Sequence, residues 1–197
     1  MEATKIAEAD FPTKFGSFRI FGFESPDKSE GAIALVMTNA SSDEATLARI
    51  HSQCLTGDVF GSARCDCGDQ LTFALQRIGE NGSGILVYQL QEGRGIGLMN
   101  KLLAYELQDH GADTVEANHH LGFEADHRNY DLCVAIFRYF GINQVRLMSN
   151  NPQKLADLEA AGIHVVERIP IEIAPSESSE NYLRTKKAKL GHLLSLV

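Results

Sequence analysis

Along this chain, apolar runs of strand length take turns with apolar stripes at helical spacing, and that alternation restricts the fold more than any other feature. Residues 33–37 and 46–50 read as strands, and residues 84–90 as a buried strand. Leu71, Ala74, Leu75 and Ile78 fall on one helical face, with Gly82 and Gly84 just beyond to stop that helix. Leu98, Leu102 and Tyr105 mark a second helix, and Leu132, Ile136 and Phe140 a third. Residues 145–148 form another short strand, and Pro152 suits a helix first turn, where a missing N–H leaves nothing unbonded. Residues 165–173 read as extended, and a last helix carries Tyr182, Lys186 and Lys189 before Gly191. Interleaved strands and helices of these lengths predict an α/β protein: one layered domain spanning 1–197, with a mixed sheet flanked by helices. The strands before Cys54 have no helix between them, so that part of the sheet is predicted to be antiparallel.

A chain of 197 residues, 44% apolar and 22% charged, is long enough to bury most of its apolar surface. No apolar stretch approaches the roughly 20 residues that cross a bilayer. The opening Met1-Glu2-Ala3-Thr4-Lys5-Ile6-Ala7-Glu8 lacks a signal peptide's apolar core, so a cytoplasmic location and no membrane partner are expected. The formal charge of −8 argues against a general nucleic-acid binder. A polyanionic small molecule stays open, provided that cations gather locally around it.

Four cysteines in a cytosolic chain point to metal ligands or buried thiols rather than disulfides. Cys54, Cys65 and Cys67 form a Cys-x10-Cys-x-Cys cluster, and zinc binds thiolate sulfur. Three protein ligands leave a position for a reacting group, whereas a fourth closes the site. Cys133 lies in the apolar run Leu132-Cys133-Val134-Ala135-Ile136-Phe137, where core packing is its default role. A structural zinc closed by Cys133 or His51 competes with a catalytic one. A thioredoxin-like pair would need Cys-x-x-Cys, which the cluster does not have. His119 and His120 are adjacent; on a strand they would point to opposite faces, so they are left out of the metal set. Glu92-Gly93-Arg94-Gly95-Ile96-Gly97 follows a strand and opens a helix, so its backbone amides could face an anion. It lacks the Gly-Lys-Ser/Thr end of a Walker loop. Asp126-x-Arg128, by itself, is an ordinary surface ion pair worth under about 1 kcal/mol.

Taken together, several segments resemble the GTP cyclohydrolase II family. Arg49-Ile50-His51-Ser52-Gln53-Cys54-Leu55-Thr56-Gly57-Asp58 and Arg64-Cys65-Asp66-Cys67-Gly68-Asp69-Gln70-Leu71 are similar to its zinc segment. Gln91 to Leu98, Asp113 to Asn118, Asp126 to Tyr130, Ser149 to Lys154 and Tyr182-Leu183-x-Thr185-Lys186 match in the same order, over nearly the whole chain. The resemblance implies hydrolysis of GTP with release of C8 as formate and of pyrophosphate, the first committed step of riboflavin biosynthesis. It implies one zinc per subunit on Cys54, Cys65 and Cys67, magnesium at the phosphates, and a homodimer. Tyr105 is implied to orient or protonate during ring opening, although by spacing it also fits the apolar helix face. Arg128 is implied to attack the α-phosphorus, with Asp126 taking its proton. A guanidinium keeps its proton up to a pKa above about 12, and a neighbouring carboxylate favours the charged form, so bidentate clamping of phosphate is the simpler role. Substrate contacts are implied at Arg49, Ile50, His51, Ser52, Gln53, Gln70, Glu92, Gly93, Arg94, Thr114, Ser149 and Lys154. Two positions depart from the family: Gln53 stands where Glu is usual, and Ser149 where Thr is usual. Gln53 removes a carboxylate beside a zinc ligand, which leaves open an enzyme that stops partway, or a zinc-stabilised nucleotide-binding module without catalysis. A zinc nucleobase deaminase would need His-x-Glu and Pro-Cys-x-x-Cys, and neither occurs.

Overall fold

The computed structural model describes residues 2–37, 45–124 and 126–197. Four strands precede the first cysteine: β1 (Thr4–Thr13), β2 (Gly16–Glu24), β3 (Gly31–Met37) and β4 (Thr46–Ser52). Three more follow, β5 (Gly84–Gln89), β6 (Gln144–Met148) and β7 (His164–Ile169). All seven lie in one sheet of order β1-β2-β3-β5-β4-β6-β7. β1, β2, β3 and β5 pair antiparallel in sequence, while β4–β6 and β6–β7 are parallel. The predicted α/β class with a mixed sheet is the one observed. Of the strands before Cys54, β1 to β3 are antiparallel as expected, whereas β4 pairs parallel with β6. β5 joins β3 antiparallel although two helices, Leu55–Asp58 and Cys67–Asn81, lie between them in the chain.

The chain divides into two compact units. The first comprises Met1–His51, Leu71–Leu90 and Asn129–Ile171; the second comprises Ser52–Gln70, Gln91–Arg128 and Glu172–Val197. Helix α2 (Cys67–Asn81) starts in the second and continues into the first.

In the first unit, alternate residues of a strand feed different cores, as the two-residue side-chain period requires. Ala32, Ala34, Ile85 and Val87 join Leu132, Ile136 and Phe137 of α5 (Asp131–Tyr139) and Leu158 of α6 (Pro152–Ala160). Leu35, Met37 and Leu86 instead join Ala74 and Ile78 of α2. Helices therefore cover both faces of the central strands. β1 is different: it is exposed along almost its whole length and pairs only with β2. Arg19 of β2 pins it, donating to Glu8 at 2.9 Å and Asp10 at 3.0 Å. Neither β1 nor β2 stands out as a buried run in the sequence.

The second unit carries α1 (Leu55–Asp58), a 3-10 turn at Glu92–Gly95, α3 (Leu98–Asp109), α4 (Thr114–His120) and α7 (Glu180–Leu190). A capping box starts α4: the Asp113 carboxylate accepts from the amides of Val115 and Glu116, and Glu116 accepts from Asp113 N. Lys189 of α7 pairs with both capping carboxylates. His119 and His120 thus lie on a helix, not a strand, and both are exposed in its last turn. The extended run expected over 165–173 stops as a strand at Ile169. Ile171 instead exchanges two hydrogen bonds with the Asn150 side-chain amide. Among the described residues, no helix is long and apolar enough to cross a membrane.

Candidate active site

Cys54 precedes the first turn of α1, and Cys67 is the first residue of α2, so two short backbone starts deliver two of the three sulfurs. The turns holding them approach too closely for side chains. A Cβ on Gly57 would stand 3.0 Å from Cys65 Sγ and 3.3 Å from Cys54 Sγ, and one on Gly68 would meet Gly57 O at 2.4 Å. The donor atoms of Cys54, Cys65 and Cys67 lie within 4.8 Å of one another, the one cluster of this kind among the described residues. Sulfurs held at about 2.3 Å by a tetrahedral zinc stand about 3.8 Å apart. Cys54 Sγ and Cys65 Sγ are separated by 3.7 Å. The cluster therefore fits zinc in donor type, number and spacing.

Electrostatics reinforce this fit. Cys54 is drawn well below the ordinary thiol range because the Cys65 and Cys67 thiols hydrogen-bond to its sulfur and Lys101 lies beside it. Cys65 and Cys67 move the other way, since a second thiolate would form next to the first in a buried place. A divalent cation removes that repulsion and lets all three ionise.

The Cys65-Asp66-Cys67 turn is clamped through Asp66, which is 4% exposed. Asp66 accepts from Lys186 Nζ of α7 at 3.2 Å and from Gln70 Nε2 at 2.5 Å. Burial pushes the Asp66 carboxyl up, but Lys186 and Gln70 hold it below the usual range. Lys186 also lies 4.3 Å from the centre of the Tyr182 ring.

Two successive turns of α3 face the sulfurs differently. Lys101 Nζ donates to Cys54 Sγ at 3.2 Å and to Glu92 Oε1 at 2.8 Å. Tyr105, one turn on, places its hydroxyl 3.2 Å from Thr56 Oγ1, which lies 3.6 Å from Cys54 Sγ. Arg64 stacks 4.9 Å from the Tyr105 ring centre. Tyr105 is thus turned toward the cysteine segment, while its helix neighbour Leu102 is exposed.

The 3-10 turn holds two consecutive left-handed residues, Gly93 (φ 62) and Arg94 (φ 62). For arginine this conformation is uncommon. The Glu92 carboxylate turns inward, accepting from Leu55 N at 2.6 Å and Gly93 N at 2.9 Å. The Gly93 amide, expected from sequence to face an anion, is therefore occupied by Glu92. Arg94 O accepts from His127 N at 3.0 Å, tying this turn to the segment carrying Asp126 and Arg128. Arg128 Nε donates to both Asp126 oxygens, at 2.8 and 3.1 Å, its Nη2 donates to Asp126, and its Nη1 reaches Ser52 Oγ at 3.3 Å. The Arg128 side chain is only 11% exposed. An expected ordinary surface pair is in fact a two-pronged one, with the Arg128 side chain largely buried and Asp126 still exposed.

The family model for GTP cyclohydrolase II matches residues 4–170. A GTP cyclohydrolase-2 of Histophilus somni is 52% identical over 96% of this chain and 88% of its own. One from Cronobacter sakazakii is 52% identical over 99% of both chains, and one from Yersinia pseudotuberculosis is 51% identical over 99% of this chain and 100% of its own. The chain belongs to the GTP cyclohydrolase II family.

Of the positions that the GTP cyclohydrolase II resemblance implies, Ser52, Gln53, Gln70, Glu92, Gly93, Arg94, Thr114, Asp126, Arg128 and Tyr105 share the second unit with the three cysteines. Thr114 opens α4 directly after its cap. The first unit holds Arg49, Ile50, His51, Ser149 and Lys154. There Arg49 Nη1 donates to Met148 O at 2.8 Å, and Lys154 Nζ to Ile50 O at 2.9 Å. His51 stacks on Tyr88 with ring centres 5.4 Å apart. Ile50 is fully buried in the core, and Ser149 Oγ accepts from Asn151 N at 3.1 Å. Cys133 is fully buried on α5 and is no part of the cysteine cluster. Lys101, Asp66, Lys186, Gly57 and Gly68 also shape this site; all but Lys101 stand within the family-like segments, yet none has a role assigned from the sequence. Their only signal was position: each sits inside or one helical turn from a quoted segment.

Proposed function

We propose that this chain hydrolyses GTP as a GTP cyclohydrolase II, opening the guanine imidazole ring and releasing C8 as formate and two phosphates as pyrophosphate. The product is a diaminopyrimidinone ribosyl phosphate, the entry to riboflavin. The observation that carries this reading is the three-sulfur cluster of Cys54, Cys65 and Cys67, since three protein ligands leave the open fourth position that a catalytic zinc keeps. Zinc held there supplies Lewis acidity and activates water at neutral pH.

The chain's own groups do the rest. Burial raises the Tyr105 hydroxyl pKa, so at neutral pH it keeps the proton it would donate during ring opening. Arg128 and Arg94 supply positive charge for the phosphates; the Arg128 fork, held in its ionised form by Asp126, clamps oxygens rather than attacking phosphorus. Gln53, Gln70, Thr114 and Gly93 contribute guanine, ribose or phosphate contacts, as do Arg49, Ile50, His51, Ser52, Ser149 and Lys154. With its oxygens bound by Leu55, Gly93 and Lys101, Glu92 serves chiefly to brace the cysteine segment. The reading includes magnesium at the phosphates, one zinc per subunit, a homodimer, a cytoplasmic location, and residues 1–197 acting as one catalytic domain.

The test is incubation of zinc-loaded protein with GTP and magnesium, with formate, pyrophosphate and pyrimidine product measured together. Equimolar release of all three is expected. Formate without pyrophosphate, or the reverse, makes this an enzyme that stops partway; tight GTP binding without any product makes it a binding module.

A further inference from the structure

Lys101 occupies a position that the proposed chemistry leaves unused. Its side chain is 12% exposed, and its ammonium lies between two anionic groups: Cys54 Sγ at 3.2 Å and Glu92 Oε1 at 2.8 Å. Glu92, 8% exposed, carries the connection onward, because its other oxygen accepts from the backbone of Leu55, the residue after Cys54. One cation thus touches the Cys54 sulfur directly and steadies the Cys54 backbone through a carboxylate.

Charge explains why an ammonium belongs there. Three thiolates outweigh a divalent ion by one negative charge, and each donates electron density that blunts the Lewis acidity a hydrolytic metal needs. A hydrogen bond from a cation to one sulfur withdraws part of that density, and groups behind the ligands commonly tune metal sites in this way. We propose that Lys101 is a positioning residue that holds the Cys54 thiolate as a weakened, charge-compensated metal donor. This rests on the reading of the cysteine cluster as a zinc site, and extends it to a residue that binds neither metal nor substrate.

Cobalt(II) in place of zinc makes the thiolate bond visible, through the sulfur-to-metal charge-transfer band. The full chain is loaded with cobalt as wild type, Lys101→Met, Lys101→Arg, Glu92→Gln and Lys101→Met/Glu92→Gln. Losing the hydrogen bond raises the energy of the sulfur electrons, so the band shifts to longer wavelength in both Lys101→Met proteins. It stays near the wild-type position in Lys101→Arg and Glu92→Gln, which keep a cation. Iodoacetamide labelling of Cys54 in the zinc-loaded proteins, mapped by mass spectrometry, accelerates about ten-fold in the Met variants, the scale of one hydrogen bond to a charged group. The double variant covers the case where Lys101→Met alone misfolds around an uncompensated Glu92. Band position and labelling rate unchanged in the Met variants overturn the role of Lys101 while leaving the metal site standing. A band that moves as far in Glu92→Gln also overturns it, because backbone bracing alone then accounts for the effect. Failure of wild type to show any thiolate–cobalt band refutes the metal reading itself.

Discussion

Cys133 and Cys54 are both buried thiols, yet their surroundings give them opposite chemistry. Cys133 is enclosed by the aliphatic face of α5, and burial pushes its thiol up to about 12. Cys54 has two thiols and an ammonium around its sulfur and is drawn down. Cys133→Ser should therefore leave zinc stoichiometry unchanged while lowering stability by about 1–3 kcal/mol, the cost of a buried hydroxyl without a suitable partner. Metal analysis beside a urea titration reads both quantities. Asp126 offers a pH test. Burial raises its carboxyl, but the Arg128 fork outweighs this and holds it below the usual value. A carboxyl depressed in the folded state stabilises it above the unfolded value of about 3.9, and that contribution disappears as pH falls through the lower folded value. Wild type should thus lose stability below about pH 4 more steeply than Asp126→Asn. Parallel acid limbs in urea titrations of the two proteins would count against the pair.

At the scale of elements, α7 is an unexpected contributor. The family model ends at residue 170, although Tyr182-Leu183-x-Thr185-Lys186 resembles the family, and spacing alone gives α7 only as a last helix carrying Tyr182, Lys186 and Lys189. Yet its Lys186 meets Asp66 between two of the clustered cysteines, and its Lys189 meets the cap of α4. Removing one partner of a buried pair strands the other charge, at a cost of about 3–5 kcal/mol. Lys186→Met is expected to lose stability on that scale and to release zinc faster to a chelator. Lys186→Met/Asp66→Asn should regain a substantial part of the stability, because no buried charge is left alone. Chelator kinetics and urea midpoints of the three proteins decide this; a double variant no better than the single one excludes the pair as the cause.

On the scale of the whole molecule, the aliphatic core and the cysteine cluster belong to different units. The first unit holds the sheet, Cys133 and most of the large buried side chains, and the second holds the clustered Cys54, Cys65 and Cys67. Phe137→Ala, in the middle of the α5 core, should cost about 3–5 kcal/mol. The folded variant should still bind zinc in the wild-type ratio, measured by metal analysis well below its unfolding temperature. Much of this architecture was legible in advance, because side-chain periodicity is local. Strands β3 to β6 and helices α2, α3, α5, α6 and α7 each announce themselves by spacing, caps or stops. β1 does not, because it buries neither face. The clustering of Cys54, Cys65 and Cys67 was equally legible, since Cys-x10-Cys-x-Cys keeps them in one short stretch of chain; that Cys133 stands apart from them was not. What only the tertiary structure decided is who stands behind them. Lys101 reaches Cys54 across 47 residues and Lys186 reaches Asp66 across 120. Sequence separation places no limit on which buried charges come to pair. A lysine on a helix reads as a solvated cation until the packing of other elements removes the water around it.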